Sequence, residues 1–374
     1  MPSPLPDPVD LGCVHRALVT KLRHHGDVLL TSPVFTVLGR AAPAAEIDAL
    51  VYAETAAMLA RHPSIAQMHV IDRDWKRQGL VRQARAERAL LSALRKRRYD
   101  LIVHLTEHPR GAWLSRLLRP RYSVARHLDR AHWLWRTSFT HYYRLPRRTP
   151  RHMVECNLDA LRRIGVQPVP GDKALVLAPD GAATARMRGL LAQHGIERRR
   201  FIQLHPGSRW LFKCWPAEHY TALVEQLVAD GWRVVLTGAP DPRERALVDA
   251  ILAATNAPTR GRVTDLGGQL SLTELAALTR EARAFVGVDS APMHIAAAVQ
   301  TPVVALFGPS GDIEWGPWQV PHRIVASTEH PCRPCGNDGC GGGKISECLT
   351  TLPVALVHAA LTEILAETGG VVRC

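Results

Sequence analysis

At 374 residues the chain exceeds the usual size of a single-core domain, so two α/β domains of roughly 170 residues each are expected. Apolar residues make up 46% of it and charged residues 22%, which excludes an intrinsically disordered chain. The net charge of +13 is confined to one half: residues 1–175 hold 29 Lys and Arg against 15 Asp and Glu, or +14, and the remainder hold 18 against 19, or −1. A genome rich in G and C would favour arginine throughout, so the confinement points to a polyanionic partner for the first half: nucleic acid, an anionic membrane surface or a phosphorylated substrate.

The segment Met1 to Leu11 is proline-rich and acidic, unlike a secretory signal, and no stretch approaches the roughly 18–20 apolar residues of a membrane span. A cytoplasmic protein with reduced cysteines is therefore expected.

In chain order, Arg16 to Leu22 reads as a buried strand, followed by the loop His24-His25-Gly26-Asp27 and a helix over Val28 to Leu38. Glu46 to Tyr52 reads as a strand, Thr55 to Arg61 as a helix, Leu80 to Arg97 as a basic helix and Asp100 to Leu105 as a strand. This alternation builds a parallel sheet with helices on both faces. From Arg126 to His152 the pattern weakens into basic and aromatic sequence, suited to a bilayer interface or to a solvated, partly packed face. Prolines 146, 150, 168 and 170 then mark a connection, with the boundary expected at residues 165–182.

A second series follows: strand Phe201 to Leu204, a loop to Trp215, a helix opened by Pro216, and strand Arg233 to Thr237. Ser271 and Glu274 form a capping-box signature before the helix Leu272 to Glu281. Ala284 to Val288 and Val303 to Phe307 are strands flanking the helix Met293 to Val299, and a last helix covers about Pro353 to Thr368. The expected domains are 1–170, 171–350 and a terminal segment 351–374 that could pack back on the first domain.

Ligands of open parallel sheets bind beyond the carboxyl ends of the strands, which selects four loops. In the first, Asp27 follows a glycine at a helix start, where it can act as a base toward a hydroxyl or simply cap the helix; His24 and His25 are competing bases. The second is Thr106 to Arg110. In the third, Ser208, Arg209 and Lys213 follow a strand and suit a pyrophosphate, and Gly238 beyond the next strand could close over a nucleotide base or equally form a plain turn. The fourth, Asp289-Ser290-Ala291-Pro292-Met293-His294, opens a helix whose amides can receive phosphate, with Asp289 turned toward a sugar hydroxyl; an ordinary N-cap is the alternative. No P-loop and no Gly-x-Gly-x-x-Gly follows any strand, which argues against an NTPase or a nicotinamide enzyme. Cys332, Cys335, Cys340 and Cys348 could hold a structural zinc or belong to a reduced, packed loop, while Cys13, Cys156, Cys214 and Cys374 stand apart.

The run Lys21 to Pro33, the stretch His205 to Pro216 and the stretch Gly287 to His294 together resemble the lipopolysaccharide heptosyltransferases, over about residues 15–365. Within that family the Lys-Leu-Arg-His-His-Gly-Asp opening and Leu105 to Gly111 are most like heptosyltransferase III. The resemblance implies the GT-B fold, two Rossmann-like domains with parallel sheets facing a central cleft, acceptor on the N-terminal domain and donor on the C-terminal one. It also implies an inverting transfer of L-glycero-D-manno-heptose from ADP-heptose, a substrate, to the lipopolysaccharide core–lipid A acceptor, with no cofactor and no divalent metal. Asp27 would be the general base. Ser208, Arg209, Lys213, Gly238, Asp289, Ser290, Ala291 and His294 would bind the donor, and His24, His25, Glu107, His108 and Arg110 the acceptor. Ser290 and Ala291 stand where relatives often have Thr and Gly, a departure that bears on donor choice. A monomer at the anionic cytoplasmic face of the inner membrane, with no nucleic-acid partner, completes the expectation. A transferase of another sugar, a sugar-nucleotide epimerase, a non-catalytic sugar-nucleotide binder and a basic nucleic-acid-binding protein are the competing readings.

Overall fold

The computed structural model describes residues 9–146 and 149–369. The chain divides into two compact units, Met1–Leu177 and Ala178–Cys374.

The first unit has strands β1 (Arg16–Lys21), β2 (Glu46–Tyr52), β3 (Gln67–Ile71), β4 (Leu101–His104), β5 (Tyr122–Arg126) and β6 (His141–Tyr143). Its helices are α1 (His25–Leu29), α2 (Ser32–Ala41), α3 (Leu80–Arg97), α4 (Pro109–Leu118), α5 (Trp133–Arg136) and α6 (Met153–Arg162). All its strand pairs are parallel, in the order β3-β2-β1-β4-β5-β6. Ala17, Leu18, Val19, Leu101, Ile102 and Val103 are buried, as strands covered by helices on both faces require. The helix expected over Val28 to Leu38 is two helices, because Pro33 has no amide hydrogen for a continuous ladder and instead sits in the first turn of α2. The helix expected over Thr55 to Arg61 is a 3₁₀ segment, Ala53–Met58.

Helix α3 is fastened at its last turn. Arg97 donates to both oxygens of the buried Asp48 at 2.6 and 2.9 Å, and the Tyr99 hydroxyl donates to the same carboxylate at 2.7 Å. Trp135, Phe139 and Tyr143, which the sequence allows at a bilayer interface, are buried; ring packing of Trp135 on Phe139 and of both on His104 makes them core. Trp133 alone of the aromatics in that segment is strongly exposed.

The second unit repeats the plan. Its strands are β7 (Phe201–His205), β8 (Arg233–Gly238), β9 (Val263–Gly267), β10 (Ala284–Val288), β11 (Val303–Phe307) and β12 (His322–Ala326), in the order β12-β11-β10-β7-β8-β9. Its helices are α7 (Gly181–Gln193), α8 (Ala217–Ala229), α9 (Pro242–Ala254), α10 (Ala257–Arg260), α11 (Leu272–Glu281), α12 (Ala291–Ala298), α13 (Asp312–Trp315), α14 (Glu347–Thr350) and α15 (Val354–Thr368). The capping box at Ser271 and Glu274 is formed, and Pro216 is the N-cap of α8. Helix α15, which the sequence allows to return to the first domain, packs instead on α8 and the β10–β12 edge of its own unit. Val357, Leu361 and Ile364 join the core there, and Arg283 bonds to Leu365 O and Thr368. Among the described residues no helix is long and apolar enough to cross a membrane.

Candidate active site

In each unit the strand order reverses beside its first strand, between β1 and β4 and between β7 and β10. Loops leaving the carboxyl ends of such neighbours diverge to opposite faces and leave a crevice. The selected loops around Asp27, Thr106 to Arg110, Ser208 to Lys213 and Asp289 are those four.

In the first unit, Asp27 is half-buried in the first turn of α1, where the unpaired amides favour a carboxylate. His24 is the N-cap of that helix, and the His25 ring bonds to Glu54 O at 2.8 Å. Beneath the loop lies Lys21, a residue whose role its strand position concealed. Its ammonium, 5% exposed, donates to Leu105 O and Asn157 Oδ1, each at 3.2 Å, and the Asn157 amide donates onward to Leu30 O. Burial pushes the Lys21 pKa down to about 8, and the Asp27 carboxylate opposes that shift. A buried cation thus faces the candidate base and ties the two switch-point loops to α6.

Across the same crevice, Glu107 is ion-paired with Arg126. The His108 ring caps α4 by accepting from Arg110 N at 3.1 Å; partial burial and the nearby Arg110 and Lys76 charges lower its pKa, favouring the neutral ring. The Arg110 guanidinium makes a two-pronged pair with Glu87 of α3 at 2.6 and 2.7 Å. Gly111 is required by packing, because a Cβ there would overlap the ring of the buried His104, itself bonded to Thr20.

In the second unit the third and fourth loops are joined by one ion pair: Lys213 Nζ lies 2.6 Å from Asp289 Oδ2. Ser208 is buried with its hydroxyl accepting from Trp210 N at 3.3 Å, and the Arg209 guanidinium lies 5.5 Å from the Trp210 ring centroid. Ser290 is the N-cap of α12 but its hydroxyl turns back to Val288 O at 3.3 Å and caps nothing; Pro292 has no amide hydrogen and Met293 N donates to Ser290 O at 3.1 Å, so the helix opening presents the Ala291 amide without a side-chain lid. His294 is buried in the same helix. Gly238 ends β8 beside Gly267.

Behind these loops sits a carboxylate that sequence reasoning missed. Glu244 accepts from Ala239 N at 3.0 Å and lies 3.6 Å from the His205 ring, and it fills the space a Cβ on Gly207 would need. Burial drives its pKa up, but His205 and the Ala239 amide outweigh that and hold it low. The one local mark of this close approach in the sequence is the glycine at 207 itself.

The four-cysteine zinc reading finds no ligand set: among the described residues no three His, Cys, Asp or Glu side chains gather to hold a metal. Cys332, Cys335 and Cys340 are exposed thiols and Cys348 is buried; Cys374 lies outside the described residues.

Two Rossmann-like sheets in one chain, with a carboxylate at one switch point and a cation beside an open helix terminus at the other, have the build of a GT-B glycosyltransferase. The sequence model of glycosyltransferase family 9 (heptosyltransferase) matches residues 87–345. Lipopolysaccharide heptosyltransferase 3 of Escherichia coli is 37% identical over 304 residues, covering 79% of this chain and 84% of that protein. The crystal structure of a family 9 glycosyl transferase from Veillonella parvula superposes with a TM-score of 0.80 at 23% identity, over 96% of this chain and 99% of that one. The ADP-heptose lipopolysaccharide heptosyltransferase II of E. coli gives a TM-score of 0.75 at 22% identity, over 95% and 100%. The chain belongs to glycosyltransferase family 9, the heptosyltransferases, and is a glycosyltransferase of the GT-B fold.

Proposed function

We propose that the protein transfers L-glycero-D-manno-heptose from ADP-heptose to the inner core of lipopolysaccharide, at the step of a type III heptosyltransferase. The position of Asp27 carries the mechanism: a carboxylate at the switch point of the basic unit, in a chain more than a third identical to a lipopolysaccharide heptosyltransferase 3. Asp27 takes the proton of the acceptor hydroxyl as that oxygen attacks the anomeric carbon. The bond from that carbon to the ADP oxygen breaks on the opposite face, so configuration inverts. Lys213 and the Ala291 amide at the start of α12 neutralise the departing diphosphate, which removes the need for a divalent metal. Asp289, released from Lys213 when phosphate arrives, receives heptose hydroxyls. Arg209, Ser208, Gly238, Ser290 and His294 complete the donor side, and His24, His25, Glu107, His108 and Arg110 the acceptor side. The +14 charge of the first half suits a phosphorylated core at the cytoplasmic face of the inner membrane, and the protein acts there as a monomer.

The test is turnover of ADP-heptose on heptose-truncated lipopolysaccharides with EDTA present, read by mass spectrometry of the acceptor. Gain of one heptose on an acceptor already carrying two is expected. Hexose transfer in its place would show the donor assignment to be wrong, and a requirement for added metal would remove the Lys213 role.

A further inference from the structure

One outer helical layer of the first unit gathers apolar side chains that a solvent-facing surface does not call for. Leu80 and Val81, at the start of α3, are 84% and 77% exposed, and Trp113 on α4 and Trp133 on α5 are 54% and 61% exposed. Leu117, one turn beyond Trp113, is exposed beside it. These helices form one layer. Leu94 of α3 and Leu114 of α4 share a buried cluster, Arg110 at the head of α4 grips Glu87 of α3, and the Arg116 guanidinium of α4 stands 5.5 Å from the Trp133 ring centroid.

The same layer is strongly cationic. Residues 73–98 hold ten Lys and Arg against Asp74 and Glu87, more than half of the positive excess of the whole half-chain. Arg82, Arg85, Arg88, Arg95, Lys96 and Arg98 are exposed, and a groove of about 730 Å³ along α3 is lined by Arg16, Arg88, Arg95, Lys96 and Arg98. Of the side chains of α3, Leu94 is the one fully buried, so the helix is held by few core contacts and by the Arg97–Asp48 bond while its outer face stays open.

We propose that this α3–α4–α5 face is the surface by which the protein lies on a bilayer containing anionic lipid. The inference rests on the functional reading only in taking the acceptor to be lipid-linked. Arginines meet headgroup phosphates, Leu80 and Val81 enter the acyl boundary, and the indoles of Trp113 and Trp133 sit at headgroup level, where an amphipathic ring is favoured. A nucleic acid would match the charge and leave the two aliphatic side chains unexplained. Lying this way, the sheet and its carboxyl-end loops stand about one helix diameter, ~10 Å, above the membrane surface, with Asp27 within reach of sugars that rise from it.

Co-sedimentation with vesicles of phosphatidylcholine, with and without phosphatidylglycerol, tests the face. Wild type is expected to bind the anionic vesicles and to be released by salt. L80S/V81S and W113S/W133S are each expected to lower that binding about tenfold or more. Their turnover on a water-soluble, deacylated acceptor stays at the wild-type level, which also shows that the variants fold. Unchanged vesicle binding by both variants overturns the proposal, as does binding to duplex DNA at physiological salt that they abolish while vesicles are ignored. Absence of wild-type turnover on any acceptor, together with vesicle binding that the variants lose, would sink the functional reading and leave the docking face standing.

Discussion

The Lys213 ammonium is held at 2.6 Å by the Asp289 carboxylate, so the cation proposed for the leaving diphosphate is already neutralised before any donor arrives. Donor binding is then an exchange in which phosphate takes the lysine and the carboxylate turns to a hydroxyl. Asp289→Asn should therefore tighten ADP binding several-fold while lowering kcat/KM for the sugar nucleotide. Lys213→Met should lower kcat/KM by about 10²–10³-fold, with Lys213→Arg retaining part of it. Calorimetry with ADP and initial rates check both, and weaker ADP binding by the asparagine variant would contradict the exchange.

Asp27→Asn keeps the shape and removes the base. Turnover is expected to fall by about 10²–10⁴-fold, with the rise in Tm on adding ADP unchanged. Undiminished turnover would return Asp27 to the role of a helix-start residue.

The His104 ring occupies the space a Cβ on Gly111 would fill. Gly111→Ala should destabilise the protein by about 1–3 kcal/mol, and the cost should shrink when His104 is also Ala. Urea unfolding of the four members of this cycle measures the coupling, and additive costs would show that the helix simply shifts.

Two pH windows follow from burial. Lys21 is held at about 8 against an ordinary 10.5. Between those values the unfolded chain keeps a proton that the native one has lost, so stability gains with rising pH, and Lys21→Met should lack that gain. His62 and His104 are pushed down by burial to about 4 and about 3 from an ordinary 6.5. The unfolded chain binds protons first, so their contribution is complete above 6.5 and drains away as pH falls through 4 and 3. Stability measured by denaturant from pH 10.5 to pH 3 should show both limbs. A wild-type profile parallel to that of Lys21→Met above pH 8 would contradict the first.

Strands with unbroken apolar runs were legible in the sequence. Glu46–Tyr52, Ala284–Val288 and Val303–Phe307 have the expected ends, as does α11, whose Ser271 and Glu274 cap is local. β3 was not legible, because Gln67-Met68-His69-Val70-Ile71 breaks the apolar run, and the partners of the buried His69 are Asp48 and Tyr99, 21 and 30 residues away. The site divides in the same way. Asp27 and Asp289 announce themselves by standing after glycine-containing apolar strands or turns, whereas the Lys213–Asp289 pair spans 76 residues and the Lys21–Asn157 bond spans 136. Partners that far apart are joined by sheet order, which periodicity and capping do not encode.

The same strand order is laid down twice in this chain, each time with the candidate site residues in the loops after the first and fourth strands. Asp27 and Lys213 are thus positional counterparts, as are the segments beginning at Leu105 and Asp289. On the proposed assignment of donor and acceptor loops, inheritance can act on one copy without touching the other: changes confined to 206–215 and 289–294 would alter which activated sugar is accepted, while the hydroxyl that receives it stays under the control of the earlier half. A lineage can in this way acquire a new donor without relearning its acceptor.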